Sequence, residues 1–213
     1  MTDIRPLAPL ETDIALLLPA RRKEKTRQYL LPADRLRCLA GGLLMEHIAQ
    51  GREVLYEEYG KPYLSEGPFF NLSHAGDYVC LAVSESSPVG IDIELHRSED
   101  FLSLGKTAFH ADEIDFLEKE PTAERFFTIW TLKESYAKMF GTGFSVEPSS
   151  FCVLPGKTRF PFEREVFFKT FNIIEDYSLA VCAAEPIQAE ITFFTFTNCL
   201  FVCSNNSIPP ISP

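Results

Sequence analysis

Asp77-Tyr78-Val79-Cys80-Leu81-Ala82-Val83 returns about a hundred residues later as Asp176-Tyr177-Ser178-Leu179-Ala180-Val181-Cys182, similar in composition and order. Each copy follows a turn, reads as a strand, and precedes Ser or Ala and then Glu. A helical pattern lies ahead of the strands in both cases, so the chain reads as one helix-plus-sheet unit used twice. After Arg97 the composition turns polar for a few residues, which puts the boundary between a half at 1–98 and a half at 99–213.

In the first half, Ile14-Ala15-Leu16-Leu17-Leu18 is expected to be a first strand. Leu36, Leu39, Ala40, Leu43, Leu44 and Ile48 keep helical spacing and predict a helix over about 33–50. Phe69 to Leu72, Tyr78 to Val83 and Val89 to Glu94 predict three strands joined by turn residues, an antiparallel meander. In the second half a helical pattern runs from Ala111 to Phe140, broken by Pro121 and stopped at Gly141. Strands are predicted at Phe151–Leu154, Glu165–Phe171, Tyr177–Ala183 and Ile191–Phe196. The proline-containing tail from about residue 198 is expected to fray.

Composition narrows the class of protein. A chain of 213 residues with 46% apolar and 13% aromatic content can bury a sizeable core. Its apolar runs fall short of the roughly 18 residues needed to cross a bilayer, and Met1-Thr2-Asp3-Ile4-Arg5-Pro6 has no signal-peptide pattern. The six cysteines form no CxxC pair and mostly sit inside apolar runs, so they read as reduced core residues of a cytoplasmic protein. A net charge of −10 argues against a general nucleic-acid binder. Arg21, Arg22, Lys23, Lys25, Arg27, Arg35 and Arg37 nevertheless crowd one short segment. That run is either a solvated helix face or an anion site.

Four short motifs carry the charged chemistry. Gly60-Lys61-Pro62 holds a lysine in a constrained turn from which its side chain can project. Asn71-Leu72-Ser73-His74 ends its strand with a hydroxyl and an imidazole, serving either structure or a ligand. In Gly90-Ile91-Asp92-Ile93-Glu94, period-2 alternation sends both carboxylates to one face. That face is either simply polar and exposed, or built for a cation such as Mg²⁺, which takes one or two protein carboxylates plus phosphate oxygens. On the 127–141 helix, Trp130, Glu134 and Lys138 stack at i, i+4, i+8, with the indole expected to be buried beneath the carboxylate. The last two form either a surface ion pair or part of a site.

These motifs, in this order and spacing, resemble the 4′-phosphopantetheinyl transferase superfamily, and the length and two-part layout resemble its long, monomeric, surfactin-synthetase-activating type. The likeness runs from about Lys23 to Glu185. It implies an α+β fold of two similar helix-plus-antiparallel-sheet halves related by pseudo-twofold symmetry. It also implies that Asp92, Glu94 and Glu134 bind Mg²⁺ and that Lys138 assists at the reacting phosphate. Coenzyme A would be held by Lys61, Pro62, Ser73 and His74, with Arg22, Lys25 and Arg37 at its 3′-phosphate and neighbouring groups. Two positions depart from the family pattern: Ala75 stands where many relatives have a second Ser, and Thr142 lies in a Gly-Thr-Gly that is often Gly-Lys-Gly.

The activity implied is attack by a serine hydroxyl of an apo acyl or peptidyl carrier protein on the phosphorus bearing pantetheine, with 3′,5′-ADP leaving. Glu134 would serve as metal ligand, general base, or both. A metal-dependent phosphohydrolase of a nucleotide pyrophosphate would share the acid cluster. A non-catalytic carrier-binding module would have no need of three convergent carboxylates.

Overall fold

The computed structural model describes residues 1–162, 165–193 and 201–204. A short strand β1 (Thr2–Asp3) and a 3-10 turn lead into α1 (Glu11–Leu17), α2 (Ala20–Arg27) and α3 (Pro32–Ala49). A small hairpin, β2 (Val54–Tyr56) and β3 (Pro62–Leu64), precedes β4 (Phe69–Ala75), β5 (Tyr78–Ser84) and β6 (Val89–Leu95). Three helices follow, α4 (Phe101–Ala108), α5 (Ala111–Glu118) and α6 (Ala123–Phe140). The chain then returns to strands, β7 (Phe167–Thr170), β8 (Tyr177–Ala183), β9 (Ala189–Ile191) and β10 (Phe201–Ser204).

The segment expected as a first strand is the helix α1. Ile14 and Leu18, four apart, are buried, while Leu16 and Leu17 are each 72% exposed, and Glu11 and Asp13 sit favourably in the first turn. Five apolar residues in a row fit either period, and burial against α3 selects the helical one. Of the other expectations, Phe151–Leu154 contributes only an isolated bridge, Cys152 to Arg159, and the polar segment after Arg97 is a connection without regular structure that leads into α4, capped by Asp100. Of the strand expected at Ile191–Phe196 only Ile191 is in a strand, as the last residue of β9; Thr192 and Phe193 lie beyond it, and residues 194–196 fall outside the described residues. Within the tail, Phe201–Ser204 is a strand against β5 and β9, and the remainder falls outside the described residues.

The two echoing heptapeptides are β5 and β8, and they correspond in facing as well as in letters. Val79, Leu81 and Val83 of β5 pack under α1 and α3, while Ala180 and Cys182 of β8 pack under α6. The opposite faces, Cys80 and Ala82 on one strand and Leu179 and Val181 on the other, meet in a core between the two sheets together with Ile91 and Ile93. The layers are therefore helix, sheet, sheet, helix, the α+β arrangement expected. Each repeat enters its second strand through a left-handed turn residue, Gly76 at φ 50° and Asp176 at φ 61°.

The predicted meander is half right. β4 and β5 form an antiparallel hairpin, but β6 does not continue it; it crosses over and pairs antiparallel with β8, Asp92 opposite Ala180 and Glu94 opposite Ser178. Along its other edge β5 pairs with β1 and β10, the latter in parallel. Apolar alternation fixes which face of a strand is buried and says nothing about which neighbour it pairs with.

Candidate active site

The site is the line along which β6 meets α6. β6 turns Gly90, Asp92 and Glu94 toward the helix and Ile91 and Ile93 away from it. Gly90 sets the separation: a Cβ there would lie 2.0 Å from the Ser135 carbonyl oxygen and 2.4 Å from the Met139 nitrogen. That close approach brings the Lys138 ammonium to 2.5 Å from Asp92 Oδ1 and 2.9 Å from Ser73 Oγ, and the Ser73 hydroxyl donates to the same Asp92 oxygen at 2.8 Å. Asp92 is 3% exposed, and its other oxygen, Oδ2, is buried without a hydrogen-bond partner.

Glu94 and Glu134 flank this pair. Burial pushes the Glu134 carboxyl above its ordinary value and the nearby Asp92 adds to the shift, although Lys138 opposes it. Glu94 is raised for the same two reasons, burial first and Asp92 second, against the pull of Arg97, Lys138 and a hydrogen bond from the Trp130 side chain. Trp130 thus departs from the expectation of a buried indole: it is half-buried, stacks on Phe126 at 6.4 Å between ring centroids, and reaches Glu94. Each carboxyl is held partly toward its neutral form, as like charges with too little counter-charge must be.

A hard divalent cation fits this donor set. The donors are oxygens, one is orphaned and buried, and two carboxyls are raised, by burial first and by the Asp92 charge as well. The three carboxylates surround Lys138 without closing on one point. Among the described residues, the donor trio whose ligand atoms lie within 4.8 Å of one another is instead His110, Asp112 and Cys152. Chemistry favours the first group. Asp112 is already answered by Lys157 at 2.7 Å, and His110 Nδ1 accepts from the Asp112 N–H as the cap of α5, where the helix end is itself positive.

The anion-binding candidates divide into two sets. Arg22 and Lys25 on α2 line a cavity of about 420 Å³ with Arg21, Arg52 and Tyr56, and Arg21 lies over the Tyr56 ring at 3.9 Å. Among the described residues, the Arg22 guanidinium donates to two soft partners, Cys38 Sγ at 3.7 Å and Met45 Sδ at 3.4 Å. Arg37 is occupied within the protein, donating to the Gly76 carbonyl and to Asp34, both at 2.5 Å. His74 sits nearby, exposed near the end of β4 on the face that also carries Phe70 and Leu72; partial desolvation, with Lys138 and Arg37 close, lowers its imidazole below the ordinary value.

Lys61 does not project from its turn. Its ammonium caps the end of α6 by donating to the Met139 carbonyl at 2.6 Å, and burial lowers its pKa. Pro62 opens β3 beside it, on the wall of a cavity of about 350 Å³. A larger cavity of about 780 Å³ contains none of these residues; its charged lining is Asp112, Asp115 and Glu118 against Lys119 and Lys157, a net negative wall.

The family model described as the 4′-phosphopantetheinyl transferase superfamily matches residues 88–182, from the start of β6 nearly to the end of β8. A 4′-phosphopantetheinyl transferase of Bacillus subtilis is 34% identical across 85% of this chain and 89% of its own length. The chain belongs to the 4′-phosphopantetheinyl transferase superfamily. The transferase Sfp of Bacillus subtilis strain 168 is 30% identical over 92% of this chain and 96% of its own, in keeping with the long type. AcpT of Escherichia coli O157:H7 is 36% identical over 63% and 71%.

Two features of this transferase were not singled out in the sequence. Lys133, inside the Trp130–Lys138 motif, is 1% exposed, pairs with the fully buried Glu113 at 2.8 Å and donates to the Pro148 and Phe151 carbonyls. Nothing in the local spacing signals that partner, twenty residues away on α5. Asn71 accepts from the Ile91 N–H at 2.9 Å. Its signal was available, because alternation puts it on the same face of β4 as Ser73.

Proposed function

We propose that this chain transfers the 4′-phosphopantetheinyl group of coenzyme A to a serine hydroxyl of an apo acyl or peptidyl carrier protein, releasing 3′,5′-ADP, with Mg²⁺ at Asp92, Glu94 and Glu134. The observation that carries this reading is the buried, unpartnered Asp92 Oδ2 beside two carboxyls raised by burial and mutual charge. Membership of the superfamily supports the reaction class.

Held by Asp92, Glu94 and Glu134, Mg²⁺ would supply positive charge against the pyrophosphate of coenzyme A and the phosphate charge that develops as 3′,5′-ADP departs. Glu134 takes the serine proton, a role suited to a carboxyl raised toward neutrality. Lys138, fixed by Asp92 and Ser73, holds an ammonium where negative charge develops, so little reorganisation is needed at the moment of transfer. Arg22 and Lys25 take the 3′-phosphate end of coenzyme A in the α2 cavity, Arg37 and His74 meet its neighbouring groups by the β4–β5 turn, and Lys61 and Pro62 contribute from the wall of a second cavity. His74, neutral at pH 7 because its pKa is lowered, serves as a hydrogen-bonding group and not as a charge.

We take the enzyme to act as a monomer in the cytoplasm. Both sides of the site come from one chain, and the four cysteines with described side chains, Cys38, Cys80, Cys152 and Cys182, are free and buried. No helix among the described residues is long and apolar enough to cross a membrane. The deciding experiment is intact-mass measurement of an apo carrier after incubation with coenzyme A, Mg²⁺ and this protein. A gain of one phosphopantetheine is expected. Consumption of coenzyme A with no gain on the carrier would make the protein a phosphohydrolase instead.

A further inference from the structure

His110, Asp112 and Cys152 have no part in the transfer chemistry, yet they bring a nitrogen, an oxygen and a sulfur within 4.8 Å of one another. Two segments meet there. His110 caps α5, Asp112 stands in its first turn, and Cys152 bridges to Arg159 in the connection after α6. Glu113, fully buried, ties the segments together, accepting the His110 N–H at 2.9 Å and the Val153 N–H at 2.8 Å.

Asp112 gives Oδ1 to Lys157 at 2.7 Å and turns Oδ2 toward His110 Nδ1 at 3.4 Å. Nδ1 accepts the Asp112 N–H at 3.2 Å, so it carries a lone pair and has no hydrogen to offer Oδ2. An anionic oxygen facing an imidazole lone pair is repelled unless a cation joins them. Two such ligands on one tetrahedral zinc ion, each about 2.0 Å from the metal, stand roughly 3.4 Å apart. The third donor is a free, fully buried thiol. Burial holds it above its ordinary value, while the Leu154 N–H directed at the sulfur favours the thiolate. Two nearby cations are already answered, Lys133 by Glu113 and Lys157 by Asp112 Oδ1. The cavity of about 780 Å³ reaches Asp112 beside Leu154 and Lys157, giving a route of entry and room for water in a fourth position.

We propose that His110 Nδ1, Asp112 Oδ2 and Cys152 Sγ form a site for a borderline-soft divalent ion of the zinc class, which fastens the start of α5 to the Cys152 segment. Sulfur and nitrogen donors suit such an ion and not Mg²⁺, the reverse of the all-oxygen acid cluster. The ion replaces the thiol proton, which passes to solvent, and takes the Nδ1 lone pair. The other half of the α5 cap, the His110 N–H on Glu113, stays in place.

Cobalt(II) is the probe, because a cobalt–thiolate bond gives a near-ultraviolet charge-transfer band that oxygen ligation does not. The chelator-stripped full chain is expected to develop this band with Co²⁺, lose it to Zn²⁺ and keep it in excess Mg²⁺. Cys152→Ser should abolish the band. His110→Asn and Asp112→Asn should each weaken Co²⁺ binding by about tenfold or more, at least what loss of a supporting group costs. Asparagine is a good helix cap, so His110→Asn tests the site even if Cys152→Ser folds poorly. Asp92→Asn should leave the band unchanged, which separates this site from the acid cluster. Zn²⁺ should raise the melting temperature of the wild type more than that of Cys152→Ser. The proposal is overturned by any of four results: no band, a band that survives Cys152→Ser or keeps wild-type affinity in the other two variants, its loss in Asp92→Asn, or equal Zn²⁺ effects on the two melting temperatures.

Discussion

Glu134 and Trp130, one turn apart on α6, separate chemistry from packing. Glu134→Gln should cut transfer by roughly 10² or more, through loss of a base or ligand. The same change should leave stability at neutral pH equal or slightly higher, because the native carboxyl is raised. A raised carboxyl binds its proton more tightly in the folded state, so its contribution to stability is present at low pH and is lost as pH rises through the raised value. Without metal, the melting temperature should therefore fall with rising pH just above the ordinary glutamate value of 4.5, and fall less in Glu134→Gln. Identical slopes in the two proteins would exclude a raised Glu134. Trp130 is half-buried, so Trp130→Ala should cost less than the roughly 3–5 kcal/mol of a fully buried aromatic. Trp130→Phe should keep the fold but slow transfer, since it removes the hydrogen bond to Glu94; thermal melts run beside transfer rates would test both.

At the scale of the element, α6 is held to the rest of the molecule by one absence and one pair. The absence is a side chain at Gly90. Gly90→Ala places a methyl against backbone atoms of α6 that cannot rotate away, so it should destabilise by about 1–3 kcal/mol or more and misplace Glu134 and Lys138 together. The pair is Lys133 with Glu113. Burial lowers the pKa of Lys133 even though Glu113 lies beside it. Lys133→Met leaves a fully buried carboxylate with the Val153 and His110 N–H groups but no counter-charge and should cost about 3–5 kcal/mol, whereas combining it with Glu113→Gln, which removes the charge and keeps an acceptor, should recover part of that loss. Denaturant midpoints of the two single variants and the double variant give the coupling, and a double variant no more stable than Lys133→Met would exclude it.

Over the whole molecule, a chain of net charge −10 must still attract the polyanionic substrate proposed for it, and the basic helix α2 is the proposed means. KM for coenzyme A should rise with ionic strength, since screening at physiological salt acts over about 8 Å. Lys25→Ala should raise KM more than it lowers kcat and should flatten that salt dependence. Titrations of KM against KCl for the two proteins make the comparison. Sequence alone determined the α3, α5 and α6 helices, the β5 and β8 repeat, and the sharing of one strand face by Asp92 and Glu94, because local periodicity is enough to fix which side of an element is apolar. Periodicity failed for α1, whose short apolar run fits a strand or a helix equally. It could not predict that β6 leaves β5 for β8, that Lys61 folds onto the end of α6, or that Ser73 turns inward to Asp92 and Lys138. Those outcomes depend on which surfaces meet once both sheets have formed, and residues twenty to eighty positions apart carry no mutual signal until packing brings their buried polar groups within reach of one another.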